Sequence, residues 1–170
     1  MNTHCFKTAR LTIDEITQTL SEEALTLLLK QTVNILTPEV VKSLPPYFHG
    51  VKSTADAHVW FTRMKSESRL FTITHNSDNA MIGFVFVSEE NEHSAHIGYL
   101  LNENYWRQGL AKEMLSNFLN WAKNHTPWHK LIGGVDKTNT ASSHLLIKLG
   151  FVKQPETHPQ VNFYQFTFKQ

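Results

Sequence analysis

The residues with the clearest chemical potential are Arg107-Gln108-Gly109-Leu110-Ala111-Lys112. Gly109 stands at the mouth of an amphipathic pattern in which Leu110, Met114, Phe118 and Trp121 recur at helical spacing, widened by Leu115, Leu119 and Ala122. A helix start leaves several backbone N–H groups without partners and carries a partial positive charge. Where a glycine lets the backbone come close, such a start can hold a phosphate. Ala111 would keep the ligand side clear, and Arg107 and Lys112 would add charge. Read alone, the same glycine merely eases a turn and Arg107 is a solvated charge. A second spacing, His125 to His129, would suit a metal pair on a helix. Pro127 lies between the two and argues against a continuous helix, so no metal is expected.

The elements around Gly109 support the first reading. His96-Ile97-Gly98-Tyr99-Leu100-Leu101 is rich in β-branched, aromatic and apolar residues and predicts a buried strand. A polar turn, Asn102-Glu103-Asn104, separates it from the helix. Strand, tight turn and helix thus form one unit with Gly109 at the helix mouth.

Tyr105-Trp106-Arg107-Gln108-Gly109-Leu110-Ala111 resembles the acetyl-CoA-binding loop of the GNAT superfamily of N-acetyltransferases, whose pattern is Arg/Gln-x-x-Gly-x-Gly/Ala. Gly109 and Ala111 fall on its two small positions. Trp106 falls where Arg or Gln is commonest, which is similar to the branch acetylating ribosomal-protein N-termini. Asn139-x-x-Ser142 followed by Lys148-Leu149-Gly150-Phe151 resembles a second motif of that branch, and Thr8-Ala9-Arg10-Leu11 its first strand. The resemblance covers nearly the whole chain, most weakly between residues 35 and 50.

The bounds agree with an enzyme of this kind. The chain has 170 residues, enough for one domain with a sizeable core, and a formal net charge of +1. That balance gives no strong electrostatic case for nucleic acid or an anionic membrane. Cys5 is the only cysteine, so neither an internal disulfide nor a thiol-rich metal site can form. The first ten residues lack the apolar core of a signal peptide, and the most concentrated apolar run, Met81 to Val87, is too short to span a bilayer. A cytoplasmic location is the default expectation.

Alternation and turn signals predict strands at Arg10 to Ile16, Leu70 to Thr74, Met81 to Val87, Ala95 to Leu101, Leu131 to Val135, Phe151-Val152 and Asn162 to Phe168. Glu89 to Glu92 reads as a hairpin turn. Helices are expected after Thr19 or Ser21, briefly at Pro38, after Ser53 or Thr54, from Leu110 and from Asn139 to Leu149. Tyr47 to Gly50 is an aromatic loop that either packs the core or walls a pocket. The expected fold is α/β: a mixed sheet of about seven strands flanked by about four helices. It is mostly antiparallel, with one parallel pair across the crossover from 95 to 135. The resemblance implies that this pair splays and that the pantetheine arm of acetyl-CoA lies between its strands. Glycines 98, 133 and 134 suit backbone exposed to a ligand there, and equally suit ordinary sheet irregularity.

The chemistry expected is transfer of an acetyl group from acetyl-CoA to a primary amine. The resemblance implies cofactor contacts from Leu100, Leu101, Arg107, Gln108, Gly109, Leu110, Ala111, Lys112, Asn139 and Ser142. Many members place a tyrosine acid where this chain has Leu146; the ribosomal-protein branch uses a serine, here Ser142, to stabilise the departing thiolate. Many members also carry a glutamate base where this chain has His96, whose imidazole can accept a proton directly or through water. Neighbouring Glu92 and His93 are alternatives. The partner expected is an acceptor amine, foremost a protein N-terminus and otherwise a polyamine or amino sugar. A second copy of the chain is an optional partner. A CoA-binding regulatory module without catalysis is the reading from another class.

Overall fold

Among the described residues the chain folds into eight strands and five α-helices, and strands adjacent in sequence pair in the sheet except for the sixth and seventh. The computed structural model describes residues 4–169. The strands are β1 (His4–Lys7), β2 (Leu11–Glu15), β3 (Arg69–His75), β4 (Ala80–Asn91), β5 (Ser94–Leu101), β6 (Lys130–Asp136), β7 (Val152–Lys153) and β8 (Val161–Thr167). They form one sheet in the order β1-β2-β3-β4-β5-β6-β8-β7, antiparallel except for β5 and β6. The helices are α1 (Glu22–Ile35), α2 (Pro38–Val41), α3 (Thr54–Glu67), α4 (Leu110–His125) and α5 (Thr140–Lys148).

The sheet has one strand more than expected. β1 is short and lacks alternation, so its sequence carries no strand signal; its place comes from tertiary contact. Phe6 packs on Phe118 and Trp121 of α4, with ring centroids 6.2 Å apart in each case. The short helix expected at Pro38 is a single turn, capped by Thr37. The expected caps resolve to Ser21 for α1 and Ser53 for α3, where Ser53 and Asp56 form a reciprocal capping box.

Period-two alternation gives the sheet two different faces. Ala95, Ile97, Leu101, Leu131 and Val135 face α4 and join Met114, Phe118 and Leu146 in one core. Leu70, Phe84 and Leu100 face the other way and pack under α1, α2 and α3 with Phe48 and Trp60. That second core takes no buried residue from β6, β7 or β8. On this side a row of paired residues, Ser88, His96, Ile132, Gln165 and Val152, runs from β4 to β7. Val152 at its end is 64% exposed, so the helices leave this part of the sheet uncovered.

The hairpin between β4 and β5 is longer than its polar sequence suggests. β4 runs on to Asn91, and the register slips between Glu89 and Asn91, leaving Glu90 as a bulged residue. The aromatic loop is mainly core: Phe48 is buried, 5.8 Å from Trp60 and 5.5 Å from Phe86 between ring centroids. Tyr47 beside it carries the Arg63 guanidinium 3.8 Å from its ring centre.

Candidate active site

The site begins where a ladder stops. β5 and β6 pair from Ser94/Lys130 to Ile97/Gly133 and no further, although β5 continues to Leu101 and β6 to Asp136. On their outer sides both stay paired to the end, β5 with β4 up to Gly83/Leu101 and β6 with β8 up to Asp136/Val161. The gap is therefore framed on both sides.

The direction of the amides inside it follows from alternation. Asn102 donates its N–H to the Ile82 carbonyl at 2.7 Å, so Leu100 and Gly98 also face β4. Tyr99 and Leu101 then turn their N–H groups toward the gap. The Leu101 carbonyl is taken by the Trp106 indole N–H at 2.9 Å, which folds the polar turn back onto the strand end. Past the break, Asn162 lies opposite Val135 and keeps a buried Oδ1 without a partner among the described residues. An orphaned buried acceptor is uncommon and suits a ligand amide. Nothing in the sequence marks Asn162 out.

The strand glycines do not face that gap as open backbone. A Cβ on Gly98 would stand 2.0 Å from Cε2 of Phe86, one on Gly133 3.1 Å from Cδ1 of Leu146, and one on Gly134 3.1 Å from Cε1 of Phe163. Each is small because a protein side chain occupies the space. Leu146 is thus a packing residue of α5.

Gly109 is different. It caps α4 at φ +75°, and a Cβ there would meet only Nη2 of Arg10, at 3.6 Å. Arg107 shares the left-handed conformation at φ +61°. The other four helices are capped by the side chains of Ser21, Thr37, Ser53 and Asn139, whereas α4 has no side-chain cap. The N–H groups of Gly109, Leu110, Ala111 and Lys112 find no acceptor among the described residues. Free amides, a left-handed loop and the helix dipole together make an anion site. Lys112, His144 and Lys148 line an adjoining cleft of about 480 Å³ between α4 and α5, floored by Leu145 and Ala141. These features fit the pyrophosphate and nucleotide end of CoA.

Arg10, from the β1–β2 turn, holds this loop in place. Its Nη1 donates to the Gln108 carbonyl at 2.8 Å and its Nε to Glu113 Oε2 at 2.7 Å. Glu113 also accepts from the Arg10 N–H at 2.8 Å and from the Thr8 hydroxyl at 2.6 Å. Burial pushes the Glu113 carboxyl up, but the hydrogen bonds from Thr8 and Arg10 outweigh it and hold the group below its usual range. The sequence presents Arg10 as an ordinary strand residue, 103 positions from Glu113.

Ser142 and His96 lie on opposite faces of the sheet. Asn139 caps α5 by accepting the Ser142 N–H at 3.2 Å, and the Ser142 hydroxyl lies 3.2 Å from the Tyr99 hydroxyl. Tyr99 faces α5 from β5 just beyond the break. Burial pushes its phenol up, more than the Ser142 hydrogen bond lowers it. On the uncovered face, His96 pairs with Ser88 and Ile132, and its side chain is 42% exposed. The bulge brings Glu90 Oε2 within 3.8 Å of His96 Nε2, while the same oxygen accepts from Ser94 at 3.0 Å. His93 lies in the hairpin, stacked on His129 with ring centroids 4.3 Å apart, away from the gap. His125 stacks on Trp121.

Residues 10–152 match the family model of the acetyltransferase (GNAT) domain. The chain belongs to the GNAT acetyltransferases. Membership makes it an N-acetyltransferase that uses acetyl-CoA as acyl donor. It is similar to the uncharacterised N-acetyltransferase YnaD of Bacillus subtilis, 26% identical over 117 residues, which cover 68% of this chain and 67% of YnaD. Among solved structures, RimL, a ribosomal α-N-protein acetyltransferase in complex with CoA, superposes with a TM-score of 0.75 at 15% identity over 97% of this chain and 98% of its own. The spermidine N-acetyltransferase of Vibrio cholerae, solved with CoA and spermine, has a TM-score of 0.67 at 17% identity, covering 92% and 95%. At such identities these likenesses speak for the fold.

Proposed function

We propose that this GNAT enzyme acetylates the α-amine of a protein N-terminus. The observation that carries the reading is the broad uncovered sheet face, bearing His96 beside the opening between β5 and β6. Both a protein N-terminus and a polyamine are acceptors on this fold, so the choice rests on that face. It is open and carries Ile132, Phe163 and Val152 interleaved with the polar His96 and Gln165, which suits an extended peptide. A polyamine needs several carboxylates in one pocket. Of the acidic residues nearest the site, Glu89 is bound by Arg69 and the Trp128 indole, and Glu90 by Ser94 and His96.

Acetyl-CoA supplies an acetyl thioester. The N–H groups of Gly109 to Lys112 hold its phosphates, with Arg107, Lys112 and the Gln108 backbone beside them, and Asn139 Nδ2 and Asn162 Oδ1 are available to its amides. The amine must be neutral to attack, and His96, directly or through a water, takes its proton. The Tyr99 and Leu101 N–H groups face the gap where charge develops on the carbonyl oxygen. The C–N bond forms, the C–S bond breaks, and the Ser142 hydroxyl donates to the sulfur that receives the electron pair.

The acid–base inventory favours a low-pKa acceptor. An α-amine has a reference pKa of about 7.7 to 8.0 and a lysine side chain about 10.4, a difference of about 3.5 kcal/mol in the cost of the neutral form. His96 is a weak base for the second. At pH 7, kcat/KM for an N-terminal peptide should exceed that for lysine Nε or spermidine, and the advantage should narrow toward pH 9. Steady-state assays over these three amines test it. Spermidine turned over efficiently with peptides untouched would replace the reading by the small-amine one. CoA binding without turnover of any amine would leave a non-catalytic module.

A further inference from the structure

We propose that Tyr99 is a positioning residue for the reaction: its phenol donates to Ser142 Oγ and leaves the serine's own proton for the departing sulfur. The inference rests on the reading of Ser142 as the thiolate's donor.

Satisfaction of hydrogen bonds decides the direction. The two hydroxyls are 3.2 Å apart and either could donate. The Tyr99 hydroxyl has Ser142 as its one partner among the described residues. If Ser142 donated, the phenol proton would be left without a partner in a part-buried site, which is costly. With the phenol donating, the proton left over belongs to Ser142, whose side chain stands in the first turn of α5 without a helical carbonyl four residues behind it. No acceptor for that proton exists among the described residues. Burial, which pushes the phenol up, keeps Tyr99 a donor through neutral and mildly alkaline pH.

Ser142 is thereby held at two points. Asn139 fixes its backbone N–H and Tyr99 fixes its oxygen, so the hydroxyl has few orientations left. Accepting from Tyr99 also polarises the serine O–H and strengthens it as a donor. No proton leaves Tyr99. The sulfur keeps the electron pair of the broken C–S bond and takes its proton from solvent after release.

The test is a cycle of Tyr99→Phe, Ser142→Ala and the double variant, read in two ways. In ligand-free melts, Ser142→Ala should lower Tm by leaving the part-buried phenol without its partner, and adding Tyr99→Phe should recover part of the loss. In kinetics, Tyr99→Phe should lower kcat about 3- to 30-fold, the size of one hydrogen bond on a barrier, with KM for acetyl-CoA little changed. The double variant should be no slower than Ser142→Ala. Losses in kcat that multiply, no Tm recovery, or parent-like kcat in Tyr99→Phe would each overturn the proposal. Parent-like kcat in Ser142→Ala would overturn it together with the reading of Ser142; Ser142→Ala slow and Tyr99→Phe unaffected would leave that reading standing alone.

Discussion

A side chain at position 109 would enter the space onto which the free amides of α4 open. Gly50 offers a matched control, because its φ of +74° equals that of Gly109 within a degree and a Cβ there meets nothing within 4 Å. Valine is strained at either position. Only at 109 should it also exclude a phosphate. Saturating CoA, at about 100-fold its Kd, should stabilise the parent by roughly 2.7 kcal/mol, or about 5–10 °C in Tm for a domain of this size. We expect Gly50→Val to keep that shift and Gly109→Val to lose it, as read by thermal denaturation with and without CoA. No shift in the parent would remove the cofactor assignment from this loop. The place of Gly109 at the helix mouth was legible in the sequence because it depends on a local pattern, a strand, a turn and an amphipathic helix in succession. Tyr99 was not, because its meaning lies in the distance to a hydroxyl 43 residues away.

Among the elements, the turn between β1 and β2 is bound to the start of α4 through Arg10, Thr8 and Glu113. The arrangement makes a hairpin the outer brace of the loop before α4, the proposed phosphate site. The sign of its pH dependence follows from Glu113. A carboxyl held below its usual range contributes stability that is fully present above the unfolded-state pKa and is lost as pH falls through the folded-state one. The brace should therefore hold at neutral pH and fail below the ordinary carboxylate range. Glu113→Gln at pH 7 should mimic that acid state, and Arg10→Ala should release the Gln108 carbonyl as well. Because Arg10 is partly exposed, we expect a modest effect, CoA binding weakened about 3- to 10-fold, measured by calorimetry. CoA affinity unchanged in both variants would reduce the brace to a surface contact. Most elements were legible from alternation, caps and turns. β1 and the bulge at Glu90 were not: one owes its place to Phe118 and Trp121, the other to a register that no single strand encodes.

At the scale of the whole molecule, the resemblance in two short motifs reached the right family and fold, since the first sits on the crossover that makes the one parallel pair and the second on α5, the helix that follows it. The proposed acceptor face stayed dark, for it is a surface assembled from β4, β5, β6, β8 and β7 and has no contiguous sequence. The break between β5 and β6 also has a consequence for how the protein meets its cosubstrate. With β4 and β8 clamping the outer edges, the opening exists before anything enters it, and no strand has to be peeled away. Association should be limited by diffusion and orientation rather than by a conformational step. The cost of readiness is a pair of amides, Tyr99 and Leu101, kept outside the ladder in the resting protein. Their deuterium uptake should be far faster than that of Ile97 on the same strand, and CoA should slow it at these two positions while leaving Ile97 as it was. Equal slow uptake at all three in the free protein would mean a closed sheet that ligand must pry open.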